Sequence, residues 1–127
     1  MSTHLFVYGT LMRGEEREGI VAHLDTQPAI VRGQLWRAPA GYPALFMDPS
    51  GLPIRGELLA IEQPSIFMVL DLYEGIAEGL YNREIIDVQT EKGPTQAWAY
   101  TMSRQQLRRA GCRLLKTNDW RKISPKL

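Results

Sequence analysis

The chain has 127 residues, of which 44% are hydrophobic and 23% charged, with a formal net charge of +1, so we expect one globular domain over residues 1–127. No apolar run approaches the ~20 residues that span a bilayer, and the first residues lack the basic region and cleavage site of a signal peptide, so neither feature is predicted. The single cysteine cannot form an internal disulfide, and with two histidines it cannot form a zinc site, so we expect a cytoplasmic protein without a metal.

The first third of the chain contains two predicted strands and a short helix. Residues 4–8 are apolar and stop at Gly9, which is typical of a strand followed by a turn. Residues 15–24 begin with acidic side chains, which suit the positive end of a helix, and we expect a short helix there. Residues 29–37 form the second predicted strand, with Gly33 as a bulge or bend.

Two apolar segments follow, at residues 42–47 and 54–61. The sequence DPSGLP between them is rich in turn-forming residues. We therefore expect the two segments to pair with each other as a hairpin.

The clearest helix lies in residues 63–75. Ile66, Val69, Leu70 and Tyr73 have the i, i+3, i+4, i+7 spacing of one apolar helix face. Gly75 follows, at the position of a left-handed C-terminal cap.

Strands at residues 83–89 and 95–102 are joined by TEKGP, a hairpin turn. The sequence SRQQ at 103–106 matches a capping box, which opens a helix predicted over residues 104–115. Six strands with two or three short helices indicate an α+β domain whose sheet curls into a barrel.

Charge is unevenly distributed along the chain. Residues 104–127 carry eight basic side chains and one acidic side chain, whereas the rest of the chain has a balance of −6. Such a segment could bind anions or nucleic acid. Because it has one aromatic residue and no nucleic-acid motif, we interpret it as a solvated helix face and tail, and we expect no nucleic-acid partner.

Glu74, at the end of the predicted helix, is a candidate general acid/base. A carboxylate there faces the negative end of the helix dipole, and Asp71 adds a like charge. Both effects would raise the pKa of Glu74, as proton transfer at neutral pH requires. The alternative is a surface helix that happens to end in an acid.

The turn after the first strand is a candidate binding loop. The N–H groups of Gly9, Thr10 and Leu11 follow the strand before any helix begins, and consecutive N–H groups of this kind bind anions or form an oxyanion hole. A tight turn that requires glycine is the alternative. Thr10 has no activating base near it in the sequence, so it is not predicted to be a nucleophile.

Six short motifs occur in a recognisable order: VYGTL at 7–11, G-x-L at 33–35, YPAL at 42–45, GELL at 56–59, LDLYEG at 70–75 and YNR at 81–83. Their order and spacing over residues 5–102 resemble the γ-glutamylcyclotransferase-like superfamily, in its short bacterial and AIG2-like branch. The basic segment 104–127 lies outside the resemblance.

The resemblance implies a small mixed β-barrel with flanking short helices and one pocket that holds the site. Glu74 matches the family's general acid/base. The positions that match substrate-binding residues are Tyr8, Gly9, Thr10, Leu11, Tyr42 and Tyr81. Tyr42 and Tyr100 are each either a pocket residue or a core aromatic residue. Arg83 is either a structural charge partner or a ligand for a carboxylate, because the arginine fork suits both.

The family reaction is the cyclisation of a γ-glutamyl amide to 5-oxoproline, with release of an amine or amino acid. The nucleophile is the substrate's own α-amine, so no triad, metal or cofactor is implied, and the partner is a small γ-glutamyl compound. The loop amides would hold either the oxyanion or the substrate carboxylate. The alternative from another class is a binding module that holds a small γ-glutamyl or carboxylate ligand without converting it. The leaving amine and the oligomeric state are left open.

Overall fold

The computed structural model describes residues 4–9, 11–12, 21 and 24–123. In these residues the strands are β1 His4–Val7, β2 Thr26–Arg37, β3 Pro43–Met47, β4 Leu52–Ala60, β5 Asn82–Thr90, β6 Gly93–Thr101 and β7 Arg113–Leu114. The α-helices are α1 Ile66–Tyr73 and α2 Arg104–Ala110, and a 3₁₀ turn covers Trp120–Lys122. The helix predicted over residues 15–24 lies largely outside the described residues.

Five strands close into a barrel in the order β2, β4, β1, β6, β5. The barrel is mixed, because β1 runs parallel to β6 whereas the other neighbours are antiparallel. The ring closes where β5 returns to β2, with Ala29 opposite Thr90 and Ile30 opposite Gln89. This barrel with its two helices confirms the predicted fold class.

The β3 and β4 strands do not pair with each other, so the hairpin expected there is wrong. Strand β3 pairs with residues 33–37 of β2, and β4 pairs with residues 26–33 of β2. Because β2 is twelve residues long, it has room for β3 and β4 on opposite edges. The turn-rich DPSGLP sequence indicates that the chain reverses, but it does not reveal that another strand lies between the two segments.

Gly33 lies where the turn between β3 and β4 passes over β2. A Cβ atom at Gly33 would come within 2.6 Å of the carbonyl oxygen of Phe46. A Cβ at Gly51, in the turn, would overlap the backbone of Gly33. Glycine is therefore required because backbone segments approach each other closely.

The buried face of α1 differs from the predicted one. Phe67 and Leu70 are its buried residues, whereas Val69 is 46% exposed and Tyr73 is 51% exposed. Phe67 packs against Trp98 of β6 with its ring centroid 6.3 Å away. The eight-residue helix rests on the barrel along a narrow contact, so four of its seven apolar residues remain at the surface.

The α2 helix begins as predicted and ends earlier. Its capping box is confirmed, because Ser103 Oγ accepts a hydrogen bond from the Gln106 N–H and Gln106 bonds back to the Ser103 N–H. Gly111 takes a left-handed conformation (φ 70°), and the Cys112 N–H donates to Leu107 O. The chain then pairs with β2 as β7, so the predicted helical end at residue 115 is wrong. Neither α-helix of the described chain has the length and apolar character needed to cross a bilayer.

Candidate active site

A cavity of about 420 Å³ opens at the end of the barrel where β1 stops. Its walls come from the end of β1 and the turn after it, the loop before β3, the end of α1, the two residues before β5, and β6. The lining residues are Phe6, Val7, Tyr8, Gly9, Leu11, Ala40, Gly41, Tyr42, Pro43, Tyr73, Glu74, Leu80, Tyr81 and Tyr100.

Glu74 is held on the cavity wall by the way α1 ends. The Ile76 N–H donates to Asp71 O at 3.1 Å, and the Gly75 N–H donates to Leu72 O at 3.3 Å. Gly75 has a φ of 61°, which completes a Schellman motif. The helix therefore stops at Glu74 and places its half-buried side chain in the cavity.

Three buried tyrosines line the same cavity as this carboxylate. The Tyr8 hydroxyl donates to Tyr100 O at 2.7 Å, and the Tyr81 hydroxyl donates to Pro43 O. The Tyr100 hydroxyl donates to Asp71 Oδ1 at 2.7 Å. Each phenol proton is thereby used inside the protein, and a phenol that has donated its proton offers a ligand only acceptor lone pairs.

Burial and the charge of Glu74 keep these tyrosines protonated. Burial is the main cause that raises the pKa of Tyr8 and of Tyr81, and the nearby Glu74 carboxylate adds to it in both. Burial also raises the pKa of Tyr100, followed by its hydrogen bond to Asp71 and by the charges of Asp71 and Glu74. Glu74 lines one cavity with all three of these tyrosines.

The turn after β1 lies against the same cavity. The Met12 N–H donates to Gly9 O at 3.0 Å and closes the turn. Within the described part of the chain, the N–H groups of Gly9 and Leu11 make no hydrogen bond, which leaves them as candidate donors to a ligand. A Cβ atom at Gly9 would overlap the Pro43 side chain, so glycine is also required for packing. Thr10 lies outside the described residues.

The described residues that the motifs assigned to the site therefore all line one cavity: Glu74, Tyr8, Gly9, Leu11, Tyr42 and Tyr81. Tyr100 joins them at the wall. No three His, Cys, Asp or Glu side chains in the described ranges are grouped so that they could hold a metal ion.

Comparison with known proteins gives the family. A family model described as "Gamma-glutamyl cyclotransferase, AIG2-like" matches residues 5–122. The chain belongs to this family. The match confirms the resemblance seen in the motifs and extends beyond residue 102 into the basic segment, as far as the 3₁₀ turn.

The Bacillus subtilis protein named "Putative gamma-glutamylcyclotransferase YkqA" is 27% identical over 123 residues, which cover 95% of this chain and 42% of YkqA. The chain thus spans less than half the length of this relative. The YkqA crystal structure gives a TM-score of 0.73 at 24% identity, covering 96% of this chain and 40% of YkqA. An AIG2-like protein from Mus musculus gives 0.66 at 22% identity, covering 83% and 82%. These likenesses show the fold.

Asp71 and Arg83 form an ion pair next to the cavity residue Tyr100. A structural ion pair is one of the two alternatives that the sequence leaves open for Arg83. The Arg83 Nε lies 2.9 Å and its Nη2 3.3 Å from the two carboxylate oxygens of Asp71. The guanidinium also lies 4.6 Å from the ring centroids of both Phe67 and Trp98. Arg83 is therefore a structural charge partner, the first of the two alternatives. The positive charge of Arg83 offsets the negative charge of Asp71. That negative charge is the one expected from the sequence to raise the pKa of Glu74.

Sequence reasoning did not assign Tyr73, Leu80 or the loop residues Ala40 and Gly41 to the cavity. Tyr73 lies inside the LDLYEG motif and Leu80 directly precedes YNR, so proximity to those motifs was the available signal. Ala40 and Gly41 come from the APAG loop before β3 and carry no chemical signal of their own. They line the site because Pro43, the first residue of β3, packs against Gly9 in the turn after β1.

Proposed function

We propose that this chain cyclises a γ-glutamyl amide to 5-oxoproline and releases an amine or amino acid. The observation that carries the proposal is the position of Glu74, half-buried in a cavity that also contains the turn after β1. A carboxylate in such a place is suited to move protons between two nitrogen atoms of a bound ligand.

The chemistry needs no nucleophile from the protein. Glu74 takes one proton from the substrate α-ammonium group, and the freed amine attacks the γ-carbonyl carbon to give a tetrahedral oxyanion. The protonated Glu74 then delivers its proton to the leaving nitrogen as the amide C–N bond breaks. The second proton that the ring nitrogen sheds passes through solvent to the released amine.

The surrounding groups suit the two ends of such a substrate. The acceptor oxygens of the buried phenols, together with Glu74, favour the α-ammonium group and not a second anion. The N–H groups of Gly9 and Leu11 supply donors for the substrate carboxylate or for the oxyanion. Alignment of amine and carbonyl within the cavity contributes part of the ~7–11 kcal/mol that intramolecular orientation is able to supply.

The test is Glu74→Gln, with Glu84→Gln as a matched control. Both changes remove one negative charge, but Glu84 lies on β5 outside the cavity. We expect Glu74→Gln to keep the fold, checked by circular dichroism, and to lower kcat for 5-oxoproline release by about 10²–10⁴-fold. Full activity of Glu74→Gln would overturn this mechanism.

A binding module remains the competing function for the same cavity. If wild-type protein were stabilised against heat by γ-glutamyl amides without releasing 5-oxoproline, the site would bind such ligands without converting them. Release of 5-oxoproline from any of a panel of γ-glutamyl amides supports the enzyme.

A further inference from the structure

The mouth of the cavity is bordered by arginines from outside its lining. Ala40 is exposed and Gly41 partly so, and they mark one side of the mouth. A Cβ atom at Gly41 would lie 3.7 Å from Nη2 of Arg37. On another side, a Cβ atom at Gly79, next to the lining residue Leu80, would lie 3.8 Å from Nη1 of Arg109.

A third arginine lies beside the first. Arg113 of β7 is the direct cross-strand partner of Arg37. Both are exposed, and like charges directly opposite one another destabilise an antiparallel pair. The α2–β7 turn also packs on the loop before β3, since a Cβ atom at Gly111 would lie 3.5 Å from Pro39 Cγ. The α2–β7 turn therefore lies beside the loop that forms one side of the cavity mouth.

These three residues, Arg37, Arg109 and Arg113, are here called the mouth arginines. Within the described residues none of them forms an ion pair, whereas Arg83 and Arg121 each have an aspartate partner. Among the described residues that line the cavity, Glu74 is the single charged one. The site thus carries negative charge on its wall and unpaired positive charge at its mouth.

We propose that the mouth arginines bind a carboxylate on the leaving group of the substrate. The preferred substrates are then γ-glutamyl amino acids or peptides with a free carboxylate near the scissile amide, and γ-glutamyl amines that lack it react less well. This inference rests on the proposed function. A γ-glutamyl amino acid matches the charge arrangement, because its α-ammonium group faces Glu74 while its leaving part extends toward the arginines.

The experiment compares γ-glutamylalanine with γ-glutamylethylamide, which differ only in the carboxylate of the leaving group. We expect wild-type kcat/KM for 5-oxoproline release to be roughly tenfold higher for γ-glutamylalanine, as a partly exposed arginine–carboxylate contact permits. Arg37→Gln and Arg109→Gln should each lower that advantage several-fold through KM, and leave the ethylamide unchanged. Added salt should reduce the advantage as well.

Lys92→Gln is the matched control, because it removes the same charge at the opposite end of β5 and β6, roughly 30 Å along the strands. It should change neither substrate. Equal kcat/KM for the two substrates overturns the inference while the proposed function stands. An equal loss for both substrates in Arg37→Gln also overturns it, because the arginine would then bind the carboxylate of the glutamyl part. Absence of 5-oxoproline from both substrates overturns the proposed function, and the inference with it.

Discussion

Two depressions in this barrel differ in the burial and hydrogen bonding of their polar groups. The cavity at the end of β1 has a volume of about 420 Å³, whereas a groove along the seam between β2 and β5 measures about 900 Å³. The groove contains three carboxylates, from Asp48, Glu84 and Asp87. In the part of the chain that the structure describes, the cavity contains one carboxylate, from Glu74, and several tyrosines.

The carboxylates of the groove accept hydrogen bonds from neighbouring residues. Thr101 Oγ1 donates to Glu84 at 3.0 Å, and Gln96 Nε2 donates to Asp87 at 3.3 Å. Both acids are exposed. In the cavity, by contrast, the Glu74 charge acts on tyrosines that are buried enough to have raised pKa values. Size and number of acids therefore do not mark the site, whereas burial of coupled titratable groups does. The Glu74→Gln and Glu84→Gln pair tests this difference directly, with the largest expected effect.

The buried tyrosines of the cavity, which have no counterpart among the described residues of the groove, should make the free energy of unfolding sensitive to alkaline pH. Because the folded-state pKa values of Tyr8 and Tyr81 are raised, both remain protonated above pH 10, where the unfolded chain loses these protons. Stability is therefore unchanged below about pH 10 and falls above it, by up to about 1.4 kcal/mol per pH unit for each tyrosine. Urea unfolding at pH 8, 9.5, 10.5 and 11 would measure this slope.

Tyr81→Phe sharpens that measurement. The variant lacks one buried phenol. Its free energy of unfolding should therefore fall less steeply above pH 10 than that of wild type, by the contribution of one tyrosine, whatever its stability at pH 8. A wild-type free energy of unfolding that stays flat to pH 11 would contradict the burial of these hydroxyls.

The turn after β1 should be sensitive to a single methyl group. In Gly9→Ala the new Cβ would overlap the Pro43 side chain, and we expect a loss of about 1–3 kcal/mol from overpacking. Thermal or urea unfolding of the variant measures it.

A compensating change identifies the cause of that loss. Pro43→Ala removes the overlapping atoms and keeps the carbonyl that accepts the Tyr81 hydroxyl. The double variant should therefore be more stable than the two single losses predict. A Gly9→Ala protein as stable as wild type would mean that glycine serves ligand approach and not packing.

Local signals in the sequence were sufficient for most of the elements and for the place of Glu74 at the end of α1. Gly75 marked the helix end, and the Ser103–Gln106 spacing marked the start of α2, because caps depend on residues close in sequence. The turn after β1 was likewise visible at Gly9. These features required no knowledge of which strands become neighbours.

Contacts between elements that lie far apart in the sequence could not be predicted from local signals. The separation of β3 from β4 by β2 depends on the length of β2 and on an approach that Gly33 allows. The pairing of Asp71 with Arg83 joins a helix to a strand, and the exposure of Val69 follows from the narrow contact of α1 with the barrel. The placement of Arg113 beside Arg37 depends on the pairing of β7 with β2.

The smallest expected effect concerns the hydroxyl that joins the cavity to the ion pair behind it. Tyr100→Phe removes the 2.7 Å hydrogen bond to Asp71 but leaves the backbone acceptor of Tyr8 and the Arg83 partner in place. Because Asp71 keeps a charged partner, we expect a loss of only about 1 kcal/mol in the free energy of unfolding. Tyr42→Phe is the control, since its hydroxyl makes no hydrogen bond within the described chain, and its stability should stay within about 0.5 kcal/mol of wild type. Equal stability of the two variants would mean that the Tyr100–Asp71 bond does not hold the cavity wall to α1, and that the bidentate arginine alone is sufficient.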